Sequence, residues 1–196
     1  MSVLVTKEAP DFTADAVMPD NSFSKITLSS YRGKYVILFF YPLDFTFVCP
    51  SEILAFNKAV KRFDAKGAVI LGVSVDSQYS HFAWRQTPVN KGGIGEISFP
   101  LIADLDKKIA RAYDVLLNDA VALRGLFLID TKGVVRHQVV NDLPIGRNVE
   151  EAIRTLEALQ FTEEHGEVCP ANWKPGEEAM KPTAEGVASY LAKHGK

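Results

Sequence analysis

Apolar residues along this chain fall into two patterns, short unbroken runs and runs stepped by three and four. Tyr35-Val-Ile-Leu-Phe-Phe-Tyr41 is continuous, as expected of a strand covered on both faces. A polar and aromatic loop, Pro42 to Cys49, follows it. Ile53, Phe56, Val60 and Phe63 then predict a helix over 51–66, with Gly67 where a C-terminal cap belongs. Residues 68–75 read as a second buried strand, and the strand–helix–strand order predicts a parallel pair with a right-handed crossover. A helix is expected over 78–87, a loop at Gly92-Gly-Ile-Gly95, a short strand over 100–103 and a short helix over 106–113. Residues 123–129 and 134–140 read as strands joined around Asp130-Thr-Lys-Gly133, a hairpin signal. Asn148 with Glu151 three residues later resembles a capping box, and Val149, Ile153, Leu156 and Leu159 share one face of the helix behind it. From Thr162 the pattern fades, and Pro170, Pro175, Gly176, Pro182 and Gly186 interrupt the chain. The expected architecture is an α/β domain over 1–161, with a central mixed sheet and helices on both its faces. An extended C-terminal arm over 162–196 follows, with a short helix around 185–193.

Length and composition narrow the classes. The 196 residues fit one domain with an appendage, and 47% apolar against 23% charged residues is ordinary for a soluble globular chain. A net charge of −2, with no basic block, gives no nucleic-acid footprint. The longest apolar run is far too short to span a bilayer, and Met1-Ser-Val-Leu-Val-Thr-Lys shows no secretory signal pattern. Two cysteines do not make a disulfide scaffold; in a reducing cytosol a cysteine is more often reactive or simply buried. His81, His137, His165 and His194 are scattered, which disfavours a zinc site.

The chemistry therefore turns on Cys49. It lies between a buried strand and a helix, and Pro50 suits the first helical position. Unpaired N–H groups and the helix dipole favour an anion there, and helix starts are among the places where thiols ionise readily. A free cysteine is also commonly just a small buried hydrophobe. Ionisation alone raises the reactive fraction by at most about 30-fold, and lower basicity erodes part of that gain. A fast reaction with a peroxide would need further groups that hold the breaking O–O bond. Cys49-Pro50-Ser51-Glu52 contains no second cysteine, which disfavours an ordinary dithiol oxidoreductase.

Tyr41-Pro-Leu-Asp-Phe-Thr-Phe-Val-Cys-Pro-Ser-Glu52 resembles the active-site segment of the typical 2-Cys peroxiredoxins, whose Pro-x-x-x-Thr-x-x-Cys pattern is met by Pro42, Thr46 and Cys49. The resemblance continues through Gly72-Val-Ser-Val-Asp-Ser77, Phe99-Pro-Leu-Ile-Ala-Asp104, Arg124-Gly-Leu-Phe-Leu-Ile-Asp130, Gly146-Arg147 and Val168-Cys169-Pro170, nearly the whole chain in order. It implies a thioredoxin-like fold with no metal or organic cofactor, and a cytoplasmic enzyme that reduces hydrogen peroxide and small organic hydroperoxides.

Residue by residue, Cys49 matches the peroxidatic cysteine, which becomes a sulfenic acid. Thr46 matches the hydroxyl that bonds thiolate and peroxide. Arg124 matches the arginine that stabilises charge across the O–O bond, and Pro42 the residue that shields the sulfur. Glu52 and Arg147 resemble the pair that orients the arginine. Taken singly, each has a plainer role: a threonine satisfying its loop, an arginine at an exposed strand end, a glutamate complementing a helix dipole. Cys169 matches the resolving cysteine, which implies an intersubunit Cys49–Cys169 disulfide in a homodimer. Decameric rings are common in the family, with Phe45, Phe47, Tyr79 and Phe82 as candidate contacts. Recycling by thioredoxin or a flavoprotein disulfide reductase is expected, with redox relay or holdase activity as secondary roles. Lys91-Gly-Gly-Ile-Gly95 resembles the loop of easily over-oxidised members, whereas Tyr190-Leu191 departs from their tyrosine–phenylalanine pair, which together imply intermediate sensitivity.

Overall fold

The computed structural model describes residues 2–195. They form two compact units that divide between Val149 and Glu150. The first unit is built on a seven-stranded mixed sheet. Its strands are β1 (Thr13–Val17), β2 (Phe23–Thr27), β3 (Tyr35–Phe40), β4 (Ala68–Ser74), β5 (Leu101–Ala103), β8 (Arg124–Ile129) and β9 (Val135–Asn141). Helices α1 (Cys49–Asp64), α2 (Gln78–Gln86) and α3 (Lys108–Ala112) connect them, and β6 (Leu116–Leu117) and β7 (Val121–Ala122) make a separate two-stranded pair. The order across the sheet is β2-β1-β5-β4-β3-β8-β9.

The expected parallel pair is present. Strands β3 and β4 run parallel from Tyr35 opposite Ala68 to Phe40 opposite Val73, and β4 pairs parallel with β5. The hairpin of β8 and β9 is antiparallel, and β8 also lies antiparallel against β3. Strand β3 is therefore interior to the sheet and covered on both faces, which is why its apolar run is unbroken. Val36, Leu38 and Phe40 join Leu71, Val73, Phe127 and Tyr113 in one core layer. Phe39 points the other way and stacks on Phe56 of α1 at 4.7 Å between ring centroids. Gly72 makes that packing possible, because a Cβ there would stand 2.9 Å from a Leu101 methyl and 3.0 Å from the Phe39 ring.

Differences from the sequence reading are local. Helix α1 starts at Cys49 rather than at 51, since Pro50 needs no intrahelical N–H partner. Gly67, at φ +65, supplies the left-handed turn after α1 and donates its N–H to the Asp64 carbonyl. The β1–β2 hairpin and the β6–β7 pair were not foreseen. Arg124 is buried rather than an exposed strand end.

In the second unit, α4 (Val149–His165) continues past Thr162, where the apolar pattern fades. The Thr162 hydroxyl donates to the Ala158 carbonyl, and the His165 ring stacks on Phe161 at 4.2 Å, so polar and aromatic contacts carry the last turn. A β-bridge between Val168 and Met180 closes the following segment. Helix α5 (Ala184–His194) then appears close to its expected place, capped by the Thr183 side chain, which accepts from the Gly186 N–H. Among the described residues no helix is long and apolar enough to cross a membrane.

Candidate active site

Loop 41–48 leads from the end of β3 to the head of α1, and buried polar anchors hold it. The Asp44 carboxylate receives the Tyr41 hydroxyl at 2.9 Å and contacts His81 Nδ1 at 2.8 Å; the other His81 nitrogen meets the Ile102 carbonyl at 3.2 Å. The Asp44 N–H donates to Asp76 at 2.8 Å. Burial, then the charge of Asp44, raise the Asp76 carboxyl above its ordinary value. Phe45 is held at φ 53, a conformation that costs a bulky side chain about 1–3 kcal/mol and persists only where surroundings enforce it. Its ring packs 5.8 Å from that of Trp84.

At the loop's end Cys49 opens α1 with no exposed surface. Its Sγ accepts from Arg124 Nη1 at 3.4 Å. The same nitrogen donates to Glu52 Oε2 at 2.6 Å, and Arg124 Nε donates to the Leu143 carbonyl at 2.6 Å. Glu52 sits one turn along α1, but its carboxylate faces inward and is only 4% exposed. Arg147 grips it from the other side: backbone N–H and Nε donate to Oε1 at 2.8 Å each, and Nη2 to Oε2 at 3.0 Å. The Arg147 Nη1 group donates to the carbonyls of Phe40 and Gly125, and the guanidinium lies 5.2 Å above the Phe39 ring. Gly125 must stay small, because a Cβ there would come within 2.8 Å of Val115.

The electrostatics follow from this list. Burial would raise the Glu52 carboxyl, but hydrogen bonds and charge from Arg147, then the charge of Arg124, hold it below the usual range. Burial pulls the Arg147 guanidinium below its ordinary value, with Glu52 opposing. Two guanidiniums against one carboxylate leave a single positive charge in a dry cluster, and a thiolate at Cys49 would supply the missing negative one.

Beside this cluster lies a cavity of about 530 Å³, lined by Pro42, Thr46, Arg124, Leu43, Phe47, Val48, Val121, Leu143 and Pro144. The structure thus brings Pro42, Thr46 and Arg124 to one cavity wall, with Cys49, Glu52 and Arg147 linked to Arg124 behind it. The Thr46 hydroxyl donates to the Leu43 carbonyl at 2.8 Å rather than to the sulfur. A hydroxyl that has spent its proton still offers two lone pairs. The apolar wall from Val121, Leu143 and Pro144 escaped the sequence reading. Its only signal is an apolar pair, Leu143-Pro144, placed in a loop without period. Among the described residues no group of three or more His, Cys, Asp and Glu side chains is arranged to hold a metal.

Cys169 lies in the second unit as a free thiol of intermediate exposure. Its Sγ donates to the Ala158 carbonyl at 3.7 Å and stands 3.8 Å from the Thr162 hydroxyl.

Known proteins resemble the chain over nearly its whole length. Residues 5–138 match the model of the AhpC/TSA family, and residues 158–193 match that of the C-terminal domain of 1-Cys peroxiredoxin. Here the latter stretch contains a second cysteine, Cys169. Peroxiredoxin-2 of Mus musculus is 56% identical over 191 residues, covering 97% of this chain and 96% of that protein. Alkyl hydroperoxide reductase C of Helicobacter pylori is 58% identical over 191 residues, 96% of each chain. The reduced 2-Cys peroxiredoxin of Plasmodium vivax superposes with a TM-score of 0.96 at 53% identity, over 97% of this chain and 100% of its own. Shared fold, near-complete coverage and a cysteine in each unit lead to one assignment: the chain belongs to the AhpC/TSA family, as a thioredoxin-like 2-Cys peroxiredoxin.

Proposed function

We propose that the chain is a thiol peroxidase that reduces hydrogen peroxide and small organic hydroperoxides through Cys49. The observation that carries this reading is the contact of Cys49 Sγ with Arg124 Nη1 at 3.4 Å, beside a cavity that Thr46 and Arg124 also line. The Cys49 thiolate attacks one peroxide oxygen. A sulfur–oxygen bond forms, the O–O bond breaks, and the departing oxygen takes a proton to leave as water or an alcohol. Cys49 becomes a sulfenic acid. Charge moves from sulfur onto the leaving oxygen, so a fixed guanidinium near both lowers the barrier. Arg124 has that role, and Glu52 with Arg147 holds it in place. Thr46 accepts the hydrogen of the incoming peroxide, because its own proton is committed to Leu43. Pro42, buried in the same wall, keeps water from the sulfur.

Cys169 then condenses with the sulfenic acid to give an intersubunit Cys49–Cys169 disulfide. Thioredoxin, or a flavoprotein disulfide reductase, returns it to two thiols. A homodimer assembling into a decameric ring is the proposed architecture. Support comes from β9 as the last strand of the sheet and from the exposure of Phe45, Phe47 and Tyr79. A Plasmodium yoelii relative modified at its N-terminus forms an octamer described as artifactual. The cytoplasm is the proposed location, on the cysteine chemistry alone.

The test is a coupled assay of thioredoxin oxidation by hydrogen peroxide, run beside non-reducing electrophoresis. Peroxide-dependent turnover and a disulfide-linked dimer are expected from the parent, and neither from Cys49→Ser. Undiminished turnover in Cys49→Ser would overturn the reading.

A further inference from the structure

The sulfur that must meet the sulfenic acid has its own setting on α4. Arg154, Ala158 and Thr162 step by four along that helix and so share one stripe. Cys169 lies against this stripe at the Ala158 carbonyl and the Thr162 hydroxyl. Its S–H donates to the Ala158 carbonyl at 3.7 Å, and the Thr162 hydroxyl donates to the same oxygen at 2.8 Å while standing 3.8 Å from the sulfur. Arg154 is locked by a two-pronged pair with Glu151, Nε to Oε2 and Nη2 to Oε1 at 2.6 Å each, and donates Nη1 to the Trp173 carbonyl at 3.2 Å. That bond ties it to the segment carrying the cysteine. Arg154 is held above its ordinary value first by its hydrogen bond to Glu151 and then by that carboxylate's charge, against the opposing effect of burial.

A thiol and a thiolate need opposite things from these neighbours. The thiol donates to the carbonyl. The thiolate has nothing to donate and would face carbonyl lone pairs, which repel it. The Thr162 hydroxyl resolves this without moving a heavy atom, because its hydrogen can turn from the carbonyl to the sulfur. We propose that Thr162 is a positioning residue for the resolving step: its hydroxyl, 3.8 Å from the sulfur, stabilises Cys169 as the thiolate that attacks the Cys49 sulfenic acid. This rests on the peroxidase reading for its purpose. In the step an S–S bond forms and the S–O bond of the sulfenic acid breaks. Hydroxide takes up a proton and leaves as water, the Cys169 sulfur is oxidised and the sulfenic sulfur is reduced. The charged and titratable groups on the elements around Cys169 are Glu150, Glu151, Arg154, Glu157, Glu163, Glu164 and His165 on α4, Glu167 beside the cysteine in sequence, and Lys181 next to the Met180 that bridges to Val168.

The test reads Cys169 alone. In a Cys49→Ser background, the rate of alkylation by iodoacetamide is followed against pH by mass spectrometry, with no peroxide present. Thr162→Val should displace the curve to higher pH and slow alkylation at neutral pH by roughly three- to tenfold, the loss of one charge-assisted bond at a partly solvated site. Thr162→Ser should restore the parent curve. A valine curve that overlays the parent overturns the proposal, as does a serine variant that falls as far as valine. Should Thr162→Val fail to fold, an unchanged curve in Thr162→Ala has the same force. Because the assay uses no peroxide, its outcome is separate from whether Cys49 consumes one.

Discussion

Replacing Glu52 with Gln probes the cluster behind Cys49 most sharply. The carboxylate accepts one bond from Arg124 at 2.6 Å and three from Arg147 at 2.8, 2.8 and 3.0 Å. Bonds to a charged partner contribute about 1.5–3 kcal/mol each, but they share one acceptor group and do not add. Gln keeps the shape and one acceptor oxygen, yet turns an N–H toward guanidinium N–H groups and leaves two buried guanidiniums with no carboxylate between them. Breaking a buried ion pair from one side costs about 3–5 kcal/mol, so the urea midpoint should fall by an amount equivalent to at least about 3 kcal/mol. The pH dependence has a definite sign. Glu52 titrates below the ordinary value of 4.5 in the folded protein, so its contribution is complete above that value. It is lost as pH falls through the lower folded value. The gap between parent and variant should therefore be flat from about pH 6 to neutrality and close in acid. Arg124 loses its orienting partner, and a small displacement of a charge-stabilising group lowers the rate of reaction with hydrogen peroxide by about 10- to 100-fold. A variant that unfolds at the parent's midpoint and reacts within about twofold of its rate would refute this account of the cluster.

Two further substitutions separate the groups that touch the reacting atoms. Arg124→Gln removes the donor at 3.4 Å from the sulfur and should slow peroxide consumption by about 100- to 1,000-fold in stopped-flow measurements, a loss that neutral Gln does not offset. Thr46→Val should lose activity while Thr46→Ser keeps most of it, since the proposed role needs only an oxygen whose proton is engaged by Leu43; equal loss in both would show that the methyl group matters instead.

How much of this was legible in the sequence depended on the kind of contact. Strand β3 and helix α1 announced themselves because burial on two faces and burial on one stripe leave different periods. The β1–β2 hairpin did not. Of Thr13–Val17 and Phe23–Thr27 only Ala16, Val17 and Ile26 are buried, and the pairing is held by backbone bonds with a Lys25–Asp15 ion pair and a Thr13–Thr27 hydroxyl contact. Neither strand carries a hydrophobic alternation long enough to read. The head of α1 was legible through Cys49-Pro50, a local signal. The meeting of Glu52, Arg124 and Arg147 was not, because local physics says nothing about residues 72 and 95 positions apart. Family resemblance named those residues, and the geometry supplies what they touch. Thr162 and Ala158 gave no signal at all, since a threonine late in a fading helix pattern has the look of an end rather than a support.

The central claim is that the Cys49 sulfur takes an oxygen from peroxide. Full-length Cys169→Ser protein, reduced and then given one equivalent of hydrogen peroxide in the presence of dimedone, should acquire a single adduct that peptide mapping places on Cys49. Protein that consumes no peroxide and carries no label on Cys49 under these conditions would contradict the account.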